Sequence, residues 1–375
     1  MLKKAACVFV CGLLCFGSVC CGEEVDRWPT VDAKAFVLID RHSGRVLYGR
    51  NENEILPIAS TTKIMTALIA IENCELREMV VVSERASGVP GTSIYLGLNE
   101  RLSMEQMLEA IMLRSANDAA VAIAEHIDGD VVQFAERMNV RAKTLSADAY
   151  FVNPNGLDQP GHGASALGLA TIAREAMNNP VFRRLAFAQG SVIPWRDSQY
   201  DRVLSNKNKL LRTYPGATGI KTGFTKKAGR CLVFSAERDR MELIGVVLNC
   251  GAWFDAAAGL MDYAFTYYRV TTLFEEKQTV VHIPVMGGAQ QVVHAVAGEP
   301  LSIPLSADEE AVIMVDVPDM LFAPVERGAE VGVAWAEVDG VKVCEIKLVA
   351  QDGVGEWGFI PALTRIARQW AIRFA

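Results

Sequence analysis

Ser60 and Lys63 stand three residues apart in Pro57-Ile58-Ala59-Ser60-Thr61-Thr62-Lys63-Ile64-Met65-Thr66-Ala67, at the start of an apolar segment. Pro57 and the small residues Ala59 and Ser60 mark a turn into a helix. Ile64, Met65, Leu68, Ile69 and Ile71 then give that helix a surface to bury. Positions i and i+3 share a helix face, so the Ser60 hydroxyl and the Lys63 amine can meet. A serine is a poor nucleophile until a neighbour takes its proton. A lysine does so when burial or a second cation lowers its pKa. Taken alone, the pair reads better as an N-cap serine and a lysine with its stem along the surface.

Two later stretches change that weighing. Ser115-Ala116-Asn117 lies inside residues 104–126, which have helical periodicity with a polar break near Arg114. Lys221-Thr222-Gly223 lies in a stretch that reads as a strand. Ser-x-x-Lys, Ser-Asp-Asn and Lys-Thr-Gly form one motif set in penicillin-binding proteins and class A β-lactamases. Three matches in order, with Ser-Ala-Asn as the second, are far more specific than any one.

On these residues the chain resembles the D-alanyl-D-alanine carboxypeptidases of the low-molecular-mass penicillin-binding protein type (serine peptidase family S11). The likeness runs from about Ala35 to the C-terminus. It includes Val37-Leu38-Ile39-Asp40 with Ser43-Gly44, then Phe151-Val152-Asn153-Pro154-Asn155-Gly156-Leu157-Asp158. It continues through Asn206-Lys207-Asn208-Lys209-Leu210-Leu211 and Gly219-Ile220-Lys221-Thr222-Gly223-Phe224-Thr225.

The resemblance implies a serine peptidase that releases the terminal D-alanine of peptidoglycan stem peptides through an acyl-enzyme. β-Lactams would be its covalent inhibitors, and no cofactor is implied. Ser60 would be the acylated nucleophile and Lys63 its base, with Lys221 as the neighbouring cation. Ser115 would pass a proton to the departing amine, and Asn117 would hold Lys63 and the substrate amide. Lys221 and Thr222 would bind the terminal carboxylate, and Gly223 would leave room for substrate along the strand edge. The backbone N–H groups of Ser60 and Phe224 would form the oxyanion hole.

Two departures stand out. Ser165-Ala166-Leu167-Gly168 replaces a capping box that the family closes with Asp; Gly168 cannot return that hydrogen bond, which puts the loop's attachment in question. Lys207 stands where many relatives carry Arg, a point charge in place of a bidentate one. His162, in Gly161-His162-Gly163, is tempting as a base, but a histidine in a Gly-rich loop reads as solvated. A DD-endopeptidase remains open. So, at lower rank, do a β-lactamase and a non-catalytic wall-binding protein. The deacylating glutamate of class A β-lactamases has its nearest counterpart in Glu136, too early in the chain to match.

The elements that must position these groups are legible. Residues 35–40 and 45–49 read as the two strands of a hairpin around His42-Ser43-Gly44, and 231–237 with 241–249 alternate as a second. With the Lys221 strand they predict an antiparallel sheet of five strands surrounded by helices, an α/β (α+β) domain of the β-lactamase/DD-peptidase type. The expected divisions are a signal peptide over 1–22, a catalytic domain over 23–275, an all-β domain over 276–358 and an amphipathic helix over 359–375. No internal repeat appears.

The 375 residues are 51% hydrophobic with net charge −7, enough for a sizeable core and against a nucleic-acid partner. Met1-Leu2-Lys3-Lys4 followed by the apolar run 5–19 and Cys20-Cys21-Gly22 reads as a secretory leader. The reading is of an exported protein at the outer face of the cytoplasmic membrane. Lipid on Cys20 or Cys21 ranks lower. The remaining cysteines, Cys74, Cys231, Cys250 and Cys344, read as free thiols rather than a disulfide framework. Without a Cys or His cluster in sequence, no metal site is expected. Leu363, Ile366, Ala367, Trp370 and Phe374 share one helix face opposite Arg365 and Arg368. That pattern suits a helix docked on the β domain or one lying on a membrane surface, and the C-terminal anchoring that the resemblance implies favours a membrane anchor.

Overall fold

The apolar run Ala35-Phe36-Val37-Leu38-Ile39 has no polar alternation, so a strand built from it must be covered on both faces. In the computed structural model, which describes residues 29–196 and 198–357, this run lies in β1 (Ala33–Asp40). The expected leader and the C-terminal helix lie outside the described residues. With β2 (Val46–Arg50), β3 (Ala217–Thr225), β4 (Gly229–Arg238) and β5 (Met241–Cys250), β1 forms a five-stranded antiparallel sheet in the order β2-β1-β5-β4-β3. Val37 faces Val246, which faces Val233, which faces Lys221 on the edge strand β3. The β4–β5 hairpin closes through Asp239 and Arg240, both at positive φ, the twist a two-residue loop requires.

Among the described residues the helices longer than one turn are α1 (Lys63–Asn73), α2 (Met104–Glu109), α3 (Asn117–Asp128), α4 (Val131–Thr144), α5 (Ala166–Ala176), α6 (Pro180–Phe187) and α7 (Trp253–Tyr267). Ala35, Val37 and Ile39 join Ile64, Leu68, Ala119 and Ile123 in one core on one face of the sheet. On the other face Phe36 meets Tyr48 at 5.1 Å, and Tyr48 meets Tyr263 of α7 at 5.6 Å. Every residue of α1 from Lys63 to Ala70 is buried, so this helix runs through the domain rather than over it. α2 opens on a capping box, Ser103 with Gln106. The break expected near Arg114 is a widened turn over Ala110–Arg114 followed by Ser115 at φ 64°.

The expected consequence of Gly168 is corrected. Ser165 still caps α5 by accepting from the Gly168 N–H at 2.9 Å, and its own N–H donates to the Asp148 carbonyl at 2.9 Å. A Cβ on residue 168 would lie 2.6 Å from that same carbonyl oxygen. The helix start is therefore attached by direct docking on the backbone at Asp148, which a side chain would prevent.

A second compact unit begins at Tyr268, earlier than the boundary expected after 275. The reason is that Tyr268–Phe274 is a strand paired with Leu301–Ser306 inside this unit, not a tail of α7. Its six-stranded sheet buries Ile283, Ala295, Val331, Ala336 and Leu348. Among the described residues no helix is long and apolar enough to cross a membrane.

Gly168→Asp, although it would restore the usual cap, is expected to destabilise the protein by about 1–3 kcal/mol through overpacking. Urea unfolding midpoints of the two chains measure it.

Candidate active site

Ser60 lies in a single 3-10 turn, Ala59–Thr62, that leads into α1. In that geometry residues i and i+3 eclipse, which sets Ser60 over Lys63. Ala59 is held at φ 47°, an uncommon conformation for a residue with a Cβ. Three hydroxyls pin the turn and the first turn of α1: Thr61 to the Ile58 carbonyl, Thr62 to that of Ala59, and Thr66 to that of Pro154.

The amine of Lys63 is fully buried and has three oxygen neighbours. The Asn155 carbonyl is at 2.6 Å, Asn117 Oδ1 at 2.7 Å and Ser60 Oγ at 3.1 Å. The first two can only accept. The serine hydroxyl can also donate. Burial, then the charges of Lys221 and Lys207, lower the Lys63 pKa well below its ordinary value, against a weaker opposite pull from Asp118. Deprotonated, the amine would give its two N–H bonds to the carbonyls and turn its lone pair to the Ser60 hydroxyl.

Ser115, at φ 64°, places a buried Oγ that has no hydrogen-bond partner among the described residues. Asn117 opens α3, donating from Nδ2 to the Pro90 carbonyl at 2.8 Å. Lys221 and Thr222 are buried on β3, and the Lys221 amine donates to the Thr222 carbonyl at 3.0 Å. Burial and Lys207 lower the Lys221 pKa to about 7. Lys207 is itself pushed down by burial and by Arg114. The residues of the three motifs thus converge where α1, α3 and β3 meet.

The family model for D-alanyl-D-alanine carboxypeptidase matches residues 23–252, and one for the penicillin-binding protein 5 C-terminal domain matches 268–356. The chain belongs to the D-alanyl-D-alanine carboxypeptidase family. It is 33% identical over 353 residues to D-alanyl-D-alanine carboxypeptidase DacF of Bacillus subtilis, covering 90% of each chain. The crystal structure of penicillin-binding protein 5 from Haemophilus influenzae superposes with a TM-score of 0.75 at 26% identity, covering 88% of this chain and 99% of that one. A D-alanyl-D-alanine endopeptidase of Pseudomonas aeruginosa is 28% identical, over 57% of this chain and 70% of its own.

In this member of the family two expectations change. Gly223 is closed in, not open: a Cβ there would lie 3.0 Å from the backbone nitrogens of Ser60 and Thr61. Its missing side chain makes room for the Ala59–Thr62 turn itself. His162 is buried rather than solvated. Its Nδ1 accepts from the Val152 N–H at 3.2 Å, so Nε2 carries the proton and donates to Thr62 Oγ1 at 2.8 Å. Thr62 donates onward to the Ala59 carbonyl at 2.8 Å. A neutral His162 is thus a strut between the 151–163 loop and the Ala59–Thr62 turn. Its pKa is lowered to about 4, by burial first and then by Lys63, while Asp158 raises it.

Sequence reasoning missed Thr62, Thr66, Asn155 and Asp118. Asp118 is fully buried and accepts from Ser93 Oγ and from the N–H groups of Ile94 and Leu96, fixing the loop beside Asn117. Asn155 acts through a backbone carbonyl, which no residue type reports.

The unfolded chain protonates His162 near 6.5 and the folded chain only near 4. Stability is therefore expected to fall as pH drops through that interval, by ~3 kcal/mol at about 1.4 kcal/mol per pKa unit. The stability difference between wild type and His162→Gln, from urea melts at pH 7 and pH 4.5, should narrow at the lower pH.

Proposed function

We propose that this protein is a serine-type D-Ala-D-Ala carboxypeptidase that removes the terminal D-alanine from peptidoglycan stem pentapeptides and is acylated by penicillin. One observation carries the reading: the buried Lys63 amine has two obligate acceptors and one partner able to donate to it, the Ser60 hydroxyl, at 3.1 Å.

In the proposed reaction Lys63 takes the Ser60 proton as Oγ attacks the carbonyl of the penultimate D-alanine. Negative charge develops on the carbonyl oxygen, and the backbone N–H groups of Ser60 and Phe224 stabilise it. The C–N bond then breaks, and the amine of the leaving D-alanine receives a proton through Ser115. Water hydrolyses the Ser60 ester with Lys63 again as base. Lys221 and Thr222 hold the substrate carboxylate, with Lys207 and Arg114 adding positive charge nearby. Asn117 keeps the Lys63 amine in place. Phe224, on the edge strand and mostly exposed, flanks the incoming peptide.

A β-lactamase is disfavoured because Glu136 is exposed on α4, away from the buried face formed by Phe134, Ala135 and Met138. Asp118, the carboxylate near Lys63, is committed to the 93–96 loop. The endopeptidase reading rests on a relative matched over little more than half of this chain, whereas the carboxypeptidase DacF is matched over nearly all of it. The charge and hydropathy of residues 1–22 and 359–375 further support export and peripheral attachment to the outer face of the cytoplasmic membrane.

D-alanine release from a soluble peptide ending in D-Ala-D-Ala is expected for the wild type and not for Ser60→Ala. A folded wild type that binds labelled penicillin yet releases no D-alanine would favour the endopeptidase. Removing the charge in Lys221→Gln stabilises protonated Lys63 and raises its pKa. The acidic limb of penicillin acylation should therefore move to higher pH; an unmoved limb would separate Lys63 from the base role.

A further inference from the structure

Outside the acyl-transfer site, Cys74, Glu78 and His126 bring a thiol, a carboxylate and an imidazole together with all three donor atoms within 4.8 Å of one another. We propose that these three residues bind a zinc-type divalent transition metal that joins the far ends of α1 and α3. The donors come from three elements: Cys74 is the C-cap of α1, Glu78 immediately precedes the strand Met79–Val81, and His126 lies in the last turn of α3.

The geometry suits such an ion. Zinc bonds of about 2.3 Å to sulfur and about 2.0–2.2 Å to nitrogen and oxygen set tetrahedral donors roughly 3.5 Å apart. His126 Nε2 and Glu78 Oε2 are already 3.3 Å apart. The supporting contacts orient the ligands as a metal site needs. Glu78 Oε1 accepts from the Glu75 N–H at 2.6 Å, leaving Oε2 to face His126. The Glu75–Glu78 turn is fixed by Met104 and Glu105, whose N–H groups donate to the carbonyls of Glu78 and Leu76. Both helices end here, so their carbonyl ends add negative potential that favours a cation. Arg137, the nearby positive group, is held by Asp128 through three bonds of 2.5 to 3.1 Å.

A sulfur–nitrogen–oxygen set selects zinc and its neighbours over calcium or magnesium, which require many oxygen ligands. The fourth position would be taken by water. The site is remote from the reaction: Cys74 lies roughly 16 Å along α1 from Lys63 at about 1.5 Å per residue. Its role is to staple two helices whose other ends are joined by the Lys63–Asn117 hydrogen bond. Sequence spacing conceals it, because Glu78 and His126 are 48 residues apart.

Cobalt(II) titration of the untagged, chelator-treated full chain, kept reduced, tests the site. Wild type is expected to bind one equivalent more than Cys74→Ser, with a thiolate-to-cobalt absorption band in the difference spectrum. Zinc should bleach that band and raise the Tm of wild type more than that of Cys74→Ser. Cys344→Ser should behave as wild type, and His126→Gln should weaken the difference site at least about tenfold. Identical stoichiometry and spectra in wild type and Cys74→Ser overturn the proposal. If circular dichroism shows Cys74→Ser unfolded, Glu78→Gln is read by the same criterion.

Discussion

A lysine amine shut away from water beside two carbonyl oxygens is the constraint around which the catalytic domain is built. An ammonium there would find three acceptors but would suffer both desolvation and the repulsion of Lys221 and Lys207. A neutral amine satisfies both carbonyls and faces the serine with a lone pair. The elements around it follow from keeping that arrangement dry and fixed. α1 is buried for most of its length, α3 begins at the residue that supplies one carbonyl, and the 153–156 turn supplies the other. The neighbouring cation comes from the edge strand β3, whose register is set through β4 by the interior strands.

The Ala59–Thr62 turn is held from two sides. β3 approaches it at Gly223, and the 153–156 turn approaches at Gly156, where a Cβ would fall 1.9 Å from the Ala59 carbonyl oxygen. The same carbonyl accepts from Thr62, which in turn accepts from His162. Ala59 and Ser115 both sit at positive φ, a local cost of order 1–3 kcal/mol each that packing must offset. Strain therefore lies at the residue beside the proposed nucleophile and at the proposed proton relay.

Much of this was legible in the residues. The uninterrupted apolar pattern of β1 and the two hairpins announced the sheet, and the order of the three motifs announced which segments meet. What escaped was carried by backbone atoms and by empty space. Asn155 contributes a carbonyl, and Gly223 and Gly168 contribute the absence of a Cβ at a close approach, so their purpose depends on a neighbour distant in sequence. His162 was misjudged because glycine on both sides suggests exposure, whereas a Val152 N–H and the Thr62 hydroxyl await its two nitrogens. The domain boundary shifted to Tyr268 because strand pairing with Leu301–Ser306 is invisible until both strands are placed.

The burial of α1 from its first residue has a further consequence. Loops that open transiently let a protein lose function while most of it stays folded. Here the lysine begins a helix that threads the hydrophobic interior, so local fraying cannot release it without exposing Ile64, Leu68 and their neighbours to water. The amide protons at the start of α1 should be among the slowest to exchange with solvent, and catalytic competence should vanish together with the domain, in one cooperative step.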